Sequence, residues 1–208
     1  MLIVNVMAAS LDGRIGLSRC ENDQERIELG ISSEADREFL FEQIRSCDAI
    51  IVGASSIRAN GSCLVAPGNN RDSPHWYILA ENPIPPSIDF WKQTDIRRTI
   101  VSKEASHYEG QVESLAYEND NLVDCVLDSM RKHRYEKALL FGGGIVNRMF
   151  YESGAVDKLK ISLSPTILGH SDASFFVQPG LSSPVRLRLV SSHANENFVF
   201  LEYDISKS

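Results

Sequence analysis

Apolar residues fall in short runs broken by polar punctuation, and two periods alternate along most of the chain. Leu2–Ala9 is a short apolar run bounded by Ser-Leu-Asp-Gly, the pattern of a buried strand. From Ser33 to Arg45 the period lengthens to that of a helix. Phe39, Leu40 and Ile44 share one face there, and Ser33 with Asp36 resembles a capping box. Ala49–Val52 predicts a second buried strand ended by Gly53, and Trp76–Ala80 a third, which Pro83, Pro85 and Pro86 keep from extending. Arg98–Ser102 predicts a fourth, with a further short strand near Val112–Leu115. The Gly/Pro/Asn-rich stretch from Gly61 to Pro74 predicts a loop.

Asp120 is placed to cap a helix carrying Leu122, Val123, Val126, Leu127 and Met130. Lys137–Phe141 predicts a strand, Ile145–Ser153 a helix closed by Gly154, and Lys158–Ser164 a strand stopped by Pro165. Two period-two runs flanking His193–Asn197 then predict an antiparallel hairpin. Strands alternating with helices, followed by a hairpin, imply an α/β fold. Its sheet is mostly parallel and flanked by helices, with antiparallel strands at the C-terminus. No linker divides the sequence, so residues 1–208 are expected to form one domain.

Composition narrows the function. The apolar (43%) and charged (24%) fractions are those of a globular chain with a real core. A formal charge of −7 disfavours a nucleic-acid partner. Cys20, Cys47, Cys63 and Cys125 are scattered without metal-ligand spacing, which points to a reducing, cytoplasmic compartment and no metal site. No apolar run reaches the roughly 20 residues of a membrane helix.

Three strand ends carry the candidate chemistry. The first is "MAASLDGRIG" (Met7–Gly16), with a turn at Asp12-Gly13 and the Ser10 hydroxyl at the strand's carboxyl end. The second is "CDAIIVGASSIRANG" (Cys47–Gly61), where Gly53 is followed by a helical turn at Ser55-Ser56. The third is "FGGGIVN" (Phe141–Asn147). A glycine turn feeding a helix aims free N–H groups and the positive dipole end at one spot, where a diphosphate is stabilised. The blander alternative is that Gly142–Gly144 only permits tight strand–helix packing. Lysine and hydroxyl do not follow the glycines, so this is no P-loop, and its late position argues against the usual dinucleotide fingerprint.

In order, "VMAASLDGRIG", "RSCDAIIVGASSIRANGSCL" and "LLFGGGIVNRMFYESGAVDKLKISLSPTILG" resemble the pyrimidine reductase family of riboflavin biosynthesis, the reductase half of the bifunctional deaminase–reductase. The resemblance implies a dihydrofolate-reductase-like fold, a homodimer and NADPH as cofactor. The implied activity is that of a 5-amino-6-(5-phosphoribosylamino)uracil reductase, with hydride delivered to the ribose imine carbon. Cofactor contacts would fall on Ala9, Gly53, Ser56, Gly142, Gly143, Gly144, Ile145, Val146 and Asn147, with a cis peptide expected at Gly142–Gly143.

The substrate half departs from the family pattern. Val6 stands where the family has lysine, Asn60 where it has an acid, and Phe141 where it has glutamate. Asp12 and Asn60 remain as catalytic candidates, and Ser10, Arg45, Arg58 and Phe141 as substrate contacts, with Arg71 a further candidate for the substrate phosphate. Arg97, Arg98 or Lys103 could meet the cofactor's 2′-phosphate. Two alternatives stay open: reduction of another pterin- or pyrimidine-like substrate, or a non-catalytic NADPH-binding relative. Dihydrofolate reductases hold the pterin with one carboxylate. Asp36 and Glu38 lie on the helix that would flank such a pocket, but they read as solvated surface charges.

Overall fold

The computed structural model describes residues 1–18, 20–68, 73–108 and 112–206. Strand β1 (Leu2–Ala9) is followed by the short β2 (Arg14–Gly16), helix α1 (Asp23–Glu28) and helix α2 (Glu34–Arg45). Strand β3 (Ala49–Gly53), helix α3 (Ala54–Asn60), strand β4 (His75–Leu79), a 3₁₀ turn (Asp89–Lys92) and strands β5 (Arg98–Ser102) and β6 (Val112–Ala116) come next. Then follow α4 (Leu122–Lys132), β7 (Lys137–Gly142), α5 (Gly144–Glu152), β8 (Lys158–Leu163), β9 (Ser174–Phe175), β10 (Leu187–Asn195) and β11 (Phe198–Ile205).

One nine-stranded sheet runs in the order β10-β11-β8-β1-β7-β3-β4-β5-β6. Every pairing from β8 to β6 is parallel, while β11 pairs antiparallel with β8 and with β10. Side chains alternate across this sheet and fill two cores. Val4, Val6, Ile50, Val52, Trp76 and Ile78 point to the face covered by Phe41 and Ile44 of α2 and Ile57 of α3. Ile3, Ile51, Tyr77 and Leu140 point to the other, covered by Val126 and Met130 of α4 and Phe150 of α5.

Most of the pattern-based elements are present, and several details differ. Helix α4 is capped at Asn121, without a side-chain bond, rather than at Asp120. Helix α5 starts one residue early, at Gly144. Helix α1 and the β2–β9 pair were not expected; α1 has no buried residue, so it lacks the apolar stripe by which a helix is read. In the hairpin, Phe198 and Phe200 are core residues, and Phe200 packs 5.1 Å from the Phe39 ring. Neither arginine at the start of β5 is a free cation. Arg97 pairs with Glu113 at 2.7 Å, and Arg98 is buried, donating to the Ile96 and Phe90 carbonyls. Lys103 is exposed past the end of β5, and Arg71 lies outside the described residues.

His75, buried at the start of β4, sits between the Tyr135 hydroxyl (2.9 Å) and the Thr99 hydroxyl (2.8 Å). Burial, reinforced by the nearby Arg97 and His133, pushes its pKa from 6.5 down to about 3. The unfolded chain therefore takes up a proton below pH 6.5 that the folded chain refuses until about pH 3. This group leaves stability intact above pH 6.5 and erodes it as the pH falls, by about 1.4 kcal/mol per pH unit. In urea unfolding at pH 7, 5.5 and 4, His75→Gln should flatten the decline by close to one proton.

Candidate active site

Strands β1 and β7 run side by side only from Leu2↔Lys137 to Asn5↔Leu140, after which β1 continues with β8 alone. On its other side β7 slips by one residue, so that Ile51 faces Leu140 but Val52 faces Gly142. The strand turns away from its neighbours here, and a cleft opens at the carboxyl ends of β1 and β3. Ligands of open α/β sheets collect at such ends.

The turn is built from glycine and held from behind. Gly142 has φ of +74°, and a Cβ on it would lie 2.7 Å from Asn147 Oδ1. The Gly142–Gly143 peptide is cis, as the resemblance implied. A Cβ on Gly144 would meet the Phe175 carbonyl at 2.2 Å, whereas one on Gly143 would touch nothing closer than Ile15 at 3.7 Å. Tight packing thus accounts for Gly142 and Gly144. Behind them lies a buried polar network. Asn5 Nδ2 donates to the Leu140 carbonyl (2.7 Å) and to Asn147 Oδ1 (3.1 Å), and the Tyr151 hydroxyl donates to Asn5 Oδ1 (3.1 Å). Asn147 Nδ2 closes it on the Phe176 carbonyl at 2.8 Å. Burial raises the Tyr151 pKa, which keeps its hydroxyl a donor.

Two adjoining cavities make up the cleft, of about 140 Å³ and about 240 Å³. The smaller is walled by Gly53, Ser55, Gly143, Gly144, Ile145 and Val146. Gly143 caps α5 without a side-chain hydrogen bond, and the residues of the helix's first turn, whose amides lack intrahelical partners, belong to this wall. A cavity at a glycine-capped helix N-terminus, with Ser55, Ser56 and Arg26 also in its wall, suits an anionic group such as a diphosphate. The larger cavity is walled by Val6, Leu40, Phe41, Ile57 and Trp76 with Asp36, Arg37, Asn60 and Ser62. Met7, Glu21, Arg26, Ser56 and Phe141 wall both cavities and mark their junction.

Of the residues expected from sequence, Gly53, Ser56, Asn60, Phe141, Gly143, Gly144, Ile145 and Val146 come together in this cleft. Others lie elsewhere. Asp12 accepts from the Ser10 hydroxyl (2.6 Å) and from the Leu168 and Gly169 amides (3.1 and 2.9 Å). The Ser10 bond and these amides hold its pKa down to about 2. It staples a turn and suits no proton transfer near neutrality, and Ser10 is buried in the same staple. Ala9 is buried, leaving Met7 and Ala8 on the wall. Arg45 bonds Glu38 (2.7 Å) and the Pro67 carbonyl (3.1 Å), while Arg58 bonds the Asn82 carbonyl, so both cations are engaged outside the cleft lining. Gly142 and Asn147 support the turn from behind.

Asn5, Glu21, Arg26, Arg37 and, in its true placement, Asp36 escaped the sequence reading. Asn5 carried a signal, being the one polar side chain inside an apolar strand. Glu21 and Arg26 reach the cleft from the stretch around α1, which has no apolar period to read.

A mostly parallel sheet flanked by helices, closed by antiparallel C-terminal strands and opened into a cleft at β1/β3, is the dihydrofolate-reductase-like architecture. The comparisons with known proteins agree. Residues 1–201 match the family model described as the RibD C-terminal domain, and the chain belongs to that family. A Methanothermobacter thermautotrophicus protein named 2,5-diamino-6-ribosylamino-4(3H)-pyrimidinone 5′-phosphate reductase is 25% identical over 95% of both chains. The crystal structure of a pyrimidine reductase-like protein from Corynebacterium diphtheriae superposes with a TM-score of 0.83 at 18% identity, covering 100% of this chain and 92% of that one. Dihydrofolate reductase from Enterococcus faecalis, complexed with NADP(H), shares the fold at a TM-score of 0.59 and 15% identity, covering 99% of this chain and 97% of that one. The family is one of pyrimidine reductases, oxidoreductases of riboflavin biosynthesis.

The network behind the turn should be measurable on its own. Asn147→Ala removes bonds to Asn5 and Phe176 and strands buried partners, which costs about 1–3 kcal/mol. Denaturant unfolding at pH 7 should show that loss, with a matching fall in melting temperature.

Proposed function

We propose that the chain is an NADPH-dependent reductase of a phosphoribosylaminopyrimidine, working on the sugar in its open imine form. The single observation that carries this reading is the adjacency, across one shared wall, of a cavity at the glycine-capped N-terminus of α5 and a larger cavity of mixed apolar and charged lining. When bound, NADPH supplies the hydride, and the protein's part is to hold, orient and dry the reactants.

In this reading the first turn of α5 takes the diphosphate, and Gly53, Ser55 and Ser56 line the path toward the junction. Met7 and Phe141 exclude water where the two ligands meet. Reduction of the imine adds a hydride at carbon and a proton at nitrogen, so a proton donor must stand at the junction. Glu21 is the carboxyl group on both walls, and its Oε2 is buried without a hydrogen-bond partner. It takes the place of the acid that the family keeps at the Phe141 position. Arg26 and Arg37 line the larger cavity and would pair with the substrate phosphate. Lys103 is the remaining candidate for the 2′-phosphate. We assign the enzyme to the cytoplasm as a homodimer formed through the β10 face, where Leu187, Leu189 and Val190 are exposed.

Purified protein should quench NADPH fluorescence and oxidise NADPH when a phosphoribosylaminopyrimidine is added. Binding without turnover on any such pyrimidine would point instead to a non-catalytic relative. Glu21→Gln should lower kcat by roughly 100-fold or more with the NADPH Kd unchanged, since general acid catalysis contributes on that order. Sedimentation should give twice the chain mass, and Leu189→Glu should return it to the monomer.

A further inference from the structure

Residues 17–29 carry Glu21 and Arg26, the two charged groups that both cavity walls share. Helix α1 within this stretch has no buried side chain to seat it. The stretch is anchored at its ends. Gly16 pairs with Ser174 before it; after it, the Gly30 carbonyl accepts from the Thr166 hydroxyl (3.1 Å) and Ile31 is fully buried. Between those anchors, among the described residues, two hydrogen bonds cross to the sheet and to α3. Arg26 Nη2 reaches the Ala8 carbonyl at 3.4 Å, which is long for such a bond, and the Asp23 amide donates to Asn60 Oδ1 at 2.9 Å.

Asn60 is suited to that bond at both ends. It is the last residue of α3, where its Nδ2 donates to the Ser56 carbonyl one turn back (3.1 Å) and leaves Oδ1 for Asp23. The two partners set the orientation of the side-chain amide, since a carbonyl takes only a donor and an N–H only an acceptor. A carboxylate here, the type of residue the family keeps, would set oxygen against the Ser56 carbonyl. Asp23 in turn is the first residue of α1, so its N–H has no partner within the helix. One side chain thus satisfies an orphan amide and joins α1 to α3.

Resting on the reductase reading above, we infer that Asn60 is a positioning residue, whose bond to the Asp23 amide holds Glu21 at the junction of the two cavities. Glu21 Oε1 accepts from the Ser18 amide (2.8 Å), a bond within the stretch, so the carboxyl group travels with the stretch. A proton donor works only within hydrogen-bond reach of its acceptor, and a small displacement of it lowers the rate. Asn60 lies in the wall of the larger cavity, and its effect on the reaction runs through the placement of the acid. The acid position of the family has here exchanged chemistry for placement.

The test removes the backbone donor and leaves Asn60 untouched. Proline is tolerated at the first position of a helix, and Asn22 before it is extended (φ −84°, ψ 173°), so Asp23→Pro deletes the N–H while α1 persists. Asp23→Ala loses the same carboxylate and keeps the N–H, and the pair therefore isolates one hydrogen bond. With NADPH and a phosphoribosylaminopyrimidine at saturation, kcat of Asp23→Pro should lie about 3- to 10-fold below that of Asp23→Ala, the scale of a single hydrogen bond. NADPH Kd and melting temperature should match within the pair, because α1 buries no side chain, while amide exchange over residues 24–29 quickens. Asn60→Ala should lower kcat likewise in wild type and by nothing further in Asp23→Pro, and in Glu21→Gln the gap within the pair should close. Equal kcat across the pair, a gap that persists in Glu21→Gln, or an undiminished Asn60→Ala loss in Asp23→Pro overturns the inference and leaves the reductase reading standing. No turnover by wild type overturns both. The Asp23 pair does not alter Asn60, so a poorly folding Asn60→Ala protein does not blunt the test.

Discussion

The contact between Asn5 and Asn147 is the constraint on which the cleft depends. In a parallel sheet the central strands read as unbroken apolar runs, because both faces are covered. A polar amide at the middle of β1 is costly unless its bonds are made, and here they are made to the strand, helix and side chain that form the turn. The same network fixes where β7 leaves the sheet. Leu140 is its last residue paired with β1; beyond it the backbone is free to bend, and α5 begins two residues past the Gly142 carbonyl. The strand end, the turn and the helix start are therefore one object, with its polar groups satisfied on the core side.

How much of this the sequence disclosed follows from where its information lies. Buried strands and amphipathic helices announce themselves by period, and β1, β3, β4, β5, β7, β8 and the terminal hairpin all stand close to where the pattern put them. Helix α1 escaped because it packs nothing apolar; it is held by a capping box at Asn22 and by the Asp23 amide on Asn60 Oδ1 (2.9 Å). The two-residue strand β9 escaped because its partner β2 is equally short, and no local pattern marks such a pair.

The site was legible on its backbone half and misread on its side-chain half. Glycines and small hydroxyl residues mark strand ends by composition, so the cavity at the N-terminus of α5 could be placed in advance. Arginines and carboxylates carry no such mark. Arg45 and Arg58 had the right charge and the wrong direction, since each is drawn to carbonyls or to Glu38 outside the cleft lining. Asp36 had the reverse history. A capping motif reads as a surface feature, yet its neighbour Ser32 draws the carboxylate inward and leaves the cap half made. Which way a side chain leaves a helix end depends on a hydroxyl one residue outside the motif, and a period-based reading does not weigh it.

Strand β10 lies at the border of the sheet, exposed along its whole length, with Leu187, Leu189 and Val190 facing solvent. A straight border of this kind would invite another chain to extend the ladder without limit. The register irregularity between Leu189 and Ser191 interrupts its straightness, and Arg188, paired with Asp204, puts charge beside it. Contact here is thereby steered from backbone to side chains, and growth by strand addition, the route to fibres, is blocked at the one rim of the sheet that most resembles a template.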